Sequence, residues 1–294
     1  MNDNIRNTPL KFDDLEERKL KEIDHSRKRR SILQGFERHS DTDKSERVEN
    51  LESVILDKDA FDYNFSNMKF YSITNKSEDF QYEWLKERCV SGIKVLDFGC
   101  GNGENGIYAA QCGAEVIGVD ISPEGVENAN LNAKQVGVDD HCRFEVMDGE
   151  NMTFPDSAFD LAVEYGVLHH VDLHKAMVEL NRVLKPDGEM ICVEALRHNP
   201  LIHWYRTKTP HLRTEWEVEH ILGVESLAVA GKYFHNIDVK FFHFAVLAAV
   251  PFRKTRFLKP VRAFLNKIDS ILLRNEAIGK YGWIMVFTMT KPKK

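Results

Sequence analysis

Between Lys94 and Gly106 the chain reads Lys-Val-Leu-Asp-Phe-Gly-Cys-Gly-Asn-Gly-Glu-Asn-Gly, and its chemistry lies in what ends the apolar run. Ile93, Val95 and Leu96 predict a buried strand that stops at Asp97. Gly99, Gly101 and Gly103, with Asn102 among them, predict a tight turn into a helix beginning near Glu104. Such a turn brings bare backbone close to a ligand. A loop shaped for a pyrophosphate uses the spacing G-x-G-x-x-G and keeps the helix N-terminus clear for anionic oxygens, whereas here Glu104 stands in that loop and the strand ends in a carboxylate. Both features disfavour a diphosphate and suit a cationic ligand. Asp120 closes the next apolar run, at the edge where ligands of open α/β sheets bind, and a carboxylate there can accept from both hydroxyls of a ribose. The competing role, capping the helix that starts at Pro123, is better served by Ser122.

The elements that must hold these groups alternate. Strand 94–98, a helix near 105–112, strand 115–119, helix 123–136, strand 142–146 and strand 161–164 lead to a helix near 173–184, a turn at Lys185-Pro186-Asp187-Gly188 and a strand 189–194. Crossovers of this length require parallel strands. Strands at 236–244 and 282–290 predict an antiparallel edge hairpin, interrupted by a helical insertion over 245–280 whose apolar density requires a partner surface. Ahead of the sheet, 12–37 predicts one or two helices with a solvated, mixed-charge face, and 38–48 a linker. The division expected is an N-terminal helical extension, 1–63, and an α/β domain, 64–294, with caps at 199–233 and 245–280.

The glycine turn and the acidic strand ends resemble the first motifs of the class I S-adenosylmethionine-dependent methyltransferases, and four more blocks match that family in order and spacing. They are Phe-Pro-Asp-Ser-Ala-Phe-Asp-Leu (154–161), Glu-Tyr-Gly-Val-Leu-His-His-Val (164–171), Leu-Asn-Arg-Val-Leu-Lys-Pro-Asp-Gly-Glu (180–189) and the strand ending at Glu194. The resemblance implies a Rossmann-like, doubly wound α/β sheet of seven strands with the last antiparallel. It implies S-adenosylmethionine as cofactor and S-adenosylhomocysteine as product. Asp97 would meet the cofactor's amino group, and Asp148 the adenine amine, with Ile121, Met147 and Gly149 about the ring. Glu164 is expected in the same site, and Tyr71 with Lys69, in the segment before the first strand, would close over it. Methyl transfer needs a base only if the acceptor must lose a proton; His169 is the candidate, since one of the neighbours His169 and His170 can face the site. His198, Tyr205 and Arg206, in a cap rich in cations and aromatics, are candidate acceptor-binding residues.

Composition narrows the acceptor. A formal net charge of −6 over 294 residues provides no global basic field, which argues against a nucleic-acid partner and for a small molecule, with the apolar cap favouring a secondary metabolite or isoprenoid-like compound. Protein or RNA methylation, or cofactor binding without transfer, are the rival readings. The five cysteines show no metal spacing, no metal is expected, and their surroundings suit a reducing cytoplasm. No apolar run is long enough to span a bilayer. A homo-oligomer through the N-terminal helices or the cap is expected.

Overall fold

Alternation of burial along each strand decides the layering. In β1 (Lys94–Phe98), Val95 faces one side and Leu96 and Phe98 the other, and the same split runs through β4 (Phe159–Tyr165) and β5 (Leu184–Ala195). Two hydrophobic cores result, one on each face of a single sheet. The computed structural model describes residues 10, 12, 15–37, 68–71, 73–209 and 213–294. Its seven strands run in the order β3-β2-β1-β4-β5-β7-β6, with β2 at Glu115–Asp120, β3 at Cys142–Val146, β6 at Phe234–Phe242 and β7 at Ile284–Pro292. Strands β1 to β5 are parallel, and β7 is antiparallel to both of its neighbours.

Helices α1 (Glu17–Glu37), α2 (Met68–Tyr71), α3 (Lys76–Arg88), α4 (Glu104–Gln111), α5 (Pro123–Val136), α6 (Leu173–Val183), α7 (Pro200–Lys208), α8 (Glu215–His220), α9 (Leu227–Ala230), α10 (Leu258–Leu272) and α11 (Glu276–Gly279) complete the described chain. Trp84 and Leu85 of α3, Ala109 and Ala110 of α4, and Ala129 and Ala133 of α5 build one core; Ala176, Met177, Leu180 and Val183 of α6 build the other. Local signals agree with the boundaries: Ser122 Oγ accepts the Gly125 N–H at 3.3 Å with Pro123 following, and Gly137 ends α5 at φ 78°.

Several expectations are corrected. β5 starts at Leu184, not 189, because Leu184 already pairs with Phe159; the Lys185–Gly188 turn is an irregularity inside the strand. β6 and β7 are each displaced by two residues relative to the expected spans. The insertion 245–280 is three pieces, the 3₁₀ turn Ala245–Phe252 with Pro251 inside it, α10, and α11, which Asn275 caps. The expected linker 38–48 lies outside the described residues. Among the described residues no helix is long and apolar enough to cross a membrane.

Candidate active site

At the carboxyl end of β1 the chain turns through Gly99, Gly101 and Gly103, at φ 70°, 55° and 88°. The N–H groups of Gly99 and Cys100 donate to the Val119 carbonyl at 2.8 and 2.9 Å, which pins the turn to β2. A methyl at Gly99 would lie 2.4 Å from Val167, and one at Gly103 would lie 2.7 Å from Phe144, so glycine is required for space as well as for φ. Asp97 is buried beneath this turn. Its Oδ2 accepts the Gly106 N–H at 2.9 Å, yet burial pushes the carboxyl up to about 8. Asp120 Oδ2 accepts the Gly101 N–H at 2.9 Å and Oδ1 the Ser122 N–H at 2.8 Å, and each oxygen keeps a lone pair for a further donor. Asp148, beyond β3, accepts from the Glu150 N–H at 3.0 Å on Oδ1.

The other Asp148 oxygen receives an ammonium, Lys19 Nζ at 2.6 Å, which comes from α1. That helix lies across the carboxyl edge of the sheet. Arg18 Nη2 meets both oxygens of Glu150 at 2.7 and 2.6 Å, Glu22 Oε2 stands 3.0 Å from Nδ1 of His170, and Arg27 donates to Glu124 at 2.6 Å. The expected solvated face of this helix is therefore a correction: Lys19 and Ile23 are buried against the ligand edge. Alternating charges read as a surface helix because their partners, Asp148, Glu150 and Glu124, lie more than ninety positions away in sequence.

A cavity of about 60 Å³ is lined by Phe70, Tyr71, His169, Tyr205, Arg206 and Trp283, with Arg213, Glu217 and Ile221 among its further walls. Tyr71 packs on Trp283 at 4.8 Å between ring centroids. His169 Nδ1 is 2.6 Å from Oε2 of Glu194, whose Oε1 accepts the Leu168 N–H at 2.6 Å; Nε2 is then the ring nitrogen available to the cavity. The two histidines sit on a turn ahead of α6, not on the helix, and so divide: His169 to the cavity, His170 to α1. Arg206 is half-buried and donates to the Leu196 carbonyl at 2.9 Å; desolvation first, then Arg213, lower its guanidinium to about 10. Glu164 is wholly buried, and burial followed by the nearby Glu194 raises its carboxyl well above the usual range. Its Oε2 accepts the Val167 N–H at 3.0 Å, while Oε1 has no hydrogen-bond partner among the described residues.

His198 is not in this group. Its Nε2 faces Glu225 at 3.1 Å on the outer surface, where Arg197 pairs with the same carboxylate. The Lys69 side chain and His211 lie outside the described residues. Sequence reasoning missed Lys19, Arg18 and Glu150, and it left Glu194 without a role; Glu194 ends β5 at the same sheet edge as the other strand-terminal carboxylates, and that was the available signal. Among the described residues no group of three or more His, Cys, Asp and Glu side chains is arranged to hold a metal.

The donor set fits a nucleoside bearing an amino-acid side arm. Three strand-end carboxylates, an ammonium already seated on Asp148, and a glycine turn that a Cβ would fill all favour donors and cations over phosphate oxygens. Residues 96–192 match the family described as a methyltransferase domain. Over 136 residues the chain is 33% identical to sterol 4-C-methyltransferase strm-1 of Caenorhabditis elegans, covering 46% of this chain and 40% of that protein. Over 141 residues it is 34% identical to the uncharacterized methyltransferase YcgJ of Bacillus subtilis (strain 168), covering 44% and 55% respectively. The chain thus spans about half the length of these curated relatives. The solved structure of MccD protein shares the fold, with a TM-score of 0.51 at 18% identity over 73% of this chain and 96% of that one.

Proposed function

We propose, because residues 96–192 match a methyltransferase domain, that the protein transfers a methyl group from S-adenosylmethionine to a small-molecule acceptor. The observation that carries this reading is the set of carboxylates at the carboxyl edge of one sheet: Asp97 and Asp120 about the glycine turn, and Glu194, paired with His169, at the wall of an aromatic cavity. When bound, the cofactor supplies an electrophilic methyl on a sulfonium, already attached to a good leaving group.

The chain's own residues then bind, orient and exclude water. Asp97, ionised, receives the ammonium of the methionyl arm, with Gly99, Gly101, Asn102 and Gly103 forming the turn against it. Asp120 accepts from the ribose hydroxyls on the lone pairs that Gly101 and Ser122 leave free. Asp148 accepts from the adenine amine, with Ile121, Met147 and Gly149 around the ring and Lys19 shifted or sharing the carboxylate. Glu164 lies at the edge of β4 with Oε1, unpartnered among the described residues, free for a polar group of the ligand. On the acceptor side Glu194 orients His169, whose Nε2 takes a proton from an acceptor hydroxyl or acidic carbon. Tyr71, Trp283 and Phe70 give the acceptor an apolar wall, and Arg206 and Tyr205 a polar one.

The cavity sharpens the choice of acceptor. At about 60 Å³ it holds the volume of roughly four to six waters, so the group methylated enters there while the bulk of a secondary metabolite or isoprenoid-like compound stays under α8 and α1. The half-buried Arg206 guanidinium in its wall favours an acceptor whose reacting end carries or develops negative charge. The test is transfer of labelled methyl from S-adenosylmethionine to a panel of phenols, sterols and prenyl compounds. Labelling of an apolar hydroxyl or carbon acid supports the reading, and labelling of RNA or protein alone overturns it.

A further inference from the structure

The insertion between β6 and β7 exposes apolar side chains that no part of the methyl-transfer reading uses. Phe257 is 52% exposed, Phe264 63% and Ile271 70%. They recur every seven residues, two turns of helix, and so stand on one line within about 20° per step. The half-buried side of α10, with Val261, Leu265, Ile268 and Leu272, rests on the turn Ala245–Phe252. Cations flank the exposed line. Lys267 follows Phe264 by three positions, about 60° round the axis, Arg274 stands in the turn just past the helix end, and Arg256 lies over the Phe257 ring at 5.0 Å.

The charge of this segment is one-sided. From Arg256 to Arg274 the chain carries Arg256, Lys259, Arg262, Lys267 and Arg274, against a single acid, Asp269. That acid is buried and consumed inside, accepting from the N–H groups of Phe244, Ala245 and Val246 at 3.2, 2.6 and 3.1 Å, so it fastens the helix and neutralises nothing outside. A basic patch on a chain of formal net charge −6 calls for an anionic partner. A symmetric contact with a second copy would bring the same cations face to face.

We propose that α10 docks on the surface of an anionic lipid bilayer, lying in its plane with Phe257, Phe264 and Ile271 among the acyl chains and Lys267 and Arg274 at the headgroups. The helix is amphipathic and charged, as interfacial helices are, and too short and polar to span. Its location gives the contact a use. Leu247, in the turn under α10, belongs to the core cluster that includes Phe70, Tyr205 and Trp283, three walls of the acceptor cavity. An apolar acceptor dissolved in the bilayer would therefore meet the protein one layer from the site.

The experiment is flotation of the full chain with vesicles of phosphatidylcholine alone and of phosphatidylcholine with about a third phosphatidylserine. Binding to the anionic vesicles only is expected. Phe264→Ser with Ile271→Ser should cut the bound fraction by more than about tenfold. Lys267→Gln with Arg274→Gln should weaken binding by about 30-fold at low salt, with S-adenosylhomocysteine binding and circular dichroism unchanged in both variants. Failure of the full chain to float with anionic vesicles, or binding that survives both pairs of substitutions, overturns the proposal. So does concentration-dependent self-association that the Phe264 and Ile271 changes abolish while no lipid is bound. None of these readouts depends on methyl transfer.

Discussion

Asp97 makes the cofactor reading quantitative, because its carboxyl is buried, sits at about 8, and must be ionised to hold an ammonium. The α-amino group of a free amino-acid arm, with an ionised carboxylate beside it, keeps its proton to higher pH than a peptide terminus and is an ammonium through pH 8. The ionised fraction of Asp97 is then about 0.01 at pH 6 and about 0.5 at pH 8. Binding of S-adenosylhomocysteine should thus tighten roughly 50-fold from pH 6 to pH 8 and weaken only at higher pH, where the amine loses its proton. Titration calorimetry across that range gives the curve. 5′-Methylthioadenosine, which keeps the nucleoside and lacks the amino-acid arm, should show no such bell, and Asp97→Asn should flatten the curve for S-adenosylhomocysteine. A flat profile in the native protein, or the same bell with 5′-methylthioadenosine, would refute the pairing. The same shift acts on folding without ligand. Since the folded pKa lies above the unfolded value of 3.8, the folded state holds the proton longer, and this group's contribution to stability falls from about pH 4 to about pH 8 and is level beyond. Asp97→Asn removes that decline, which thermal unfolding at a series of pH values measures.

Asp120→Ala should weaken S-adenosylhomocysteine binding by about 1 to 3 kcal/mol, through lost ribose bonds and a loosened Gly101–Ser122 tie; an unchanged calorimetric Kd would count against the ribose assignment. Glu194→Gln should lower kcat by about 10² to 10⁴ for a hydroxyl acceptor with cofactor affinity unchanged, whereas an equal loss in cofactor affinity would mark Glu194 as merely structural. Gly118→Ala puts a methyl 2.3 Å from the Phe144 ring that backs the glycine turn, so the turn must shift. We expect a stability loss of about 1 to 3 kcal/mol by urea unfolding, together with weaker cofactor binding.

The sheet was legible because its strands are short apolar runs ending in carboxylates and glycines, and the helices between them carry caps such as Ser122 and Gly137. The cofactor half of the site followed, since Asp97 is the penultimate residue of β1, Asp120 the last of β2 and Asp148 two past the end of β3, and these parallel strands end at one edge. The acceptor half did not. His169 could be suspected, but its partner Glu194 is a residue on a different strand, and Trp283 and Phe70 meet in the cavity across most of the chain. Helix α1 was misjudged for a related reason: Lys19 and Arg18 look solvated until tertiary structure supplies Asp148 and Glu150. His198 was misassigned because a histidine in a cation-rich cap carries no sign of which way it faces, and here it faces Glu225.

β7 lies between β5 and β6, pairing with seven residues of β5 from Glu189 to Ala195 and with Phe234 to Phe242 of β6. In synthesis β7 is made after both. As the chain leaves the ribosome, β1 to β5 can therefore assemble with their helices and already present Asp97, Asp120 and Asp148. Meanwhile β5 keeps a bare edge and β6 has no partner. Trp283, which immediately precedes β7 and lines the acceptor cavity, arrives only with that strand. A nascent chain at this stage could accept the nucleoside before it had anywhere to put an acceptor, and bound ligand would then steady the open sheet while its last strand was still to come.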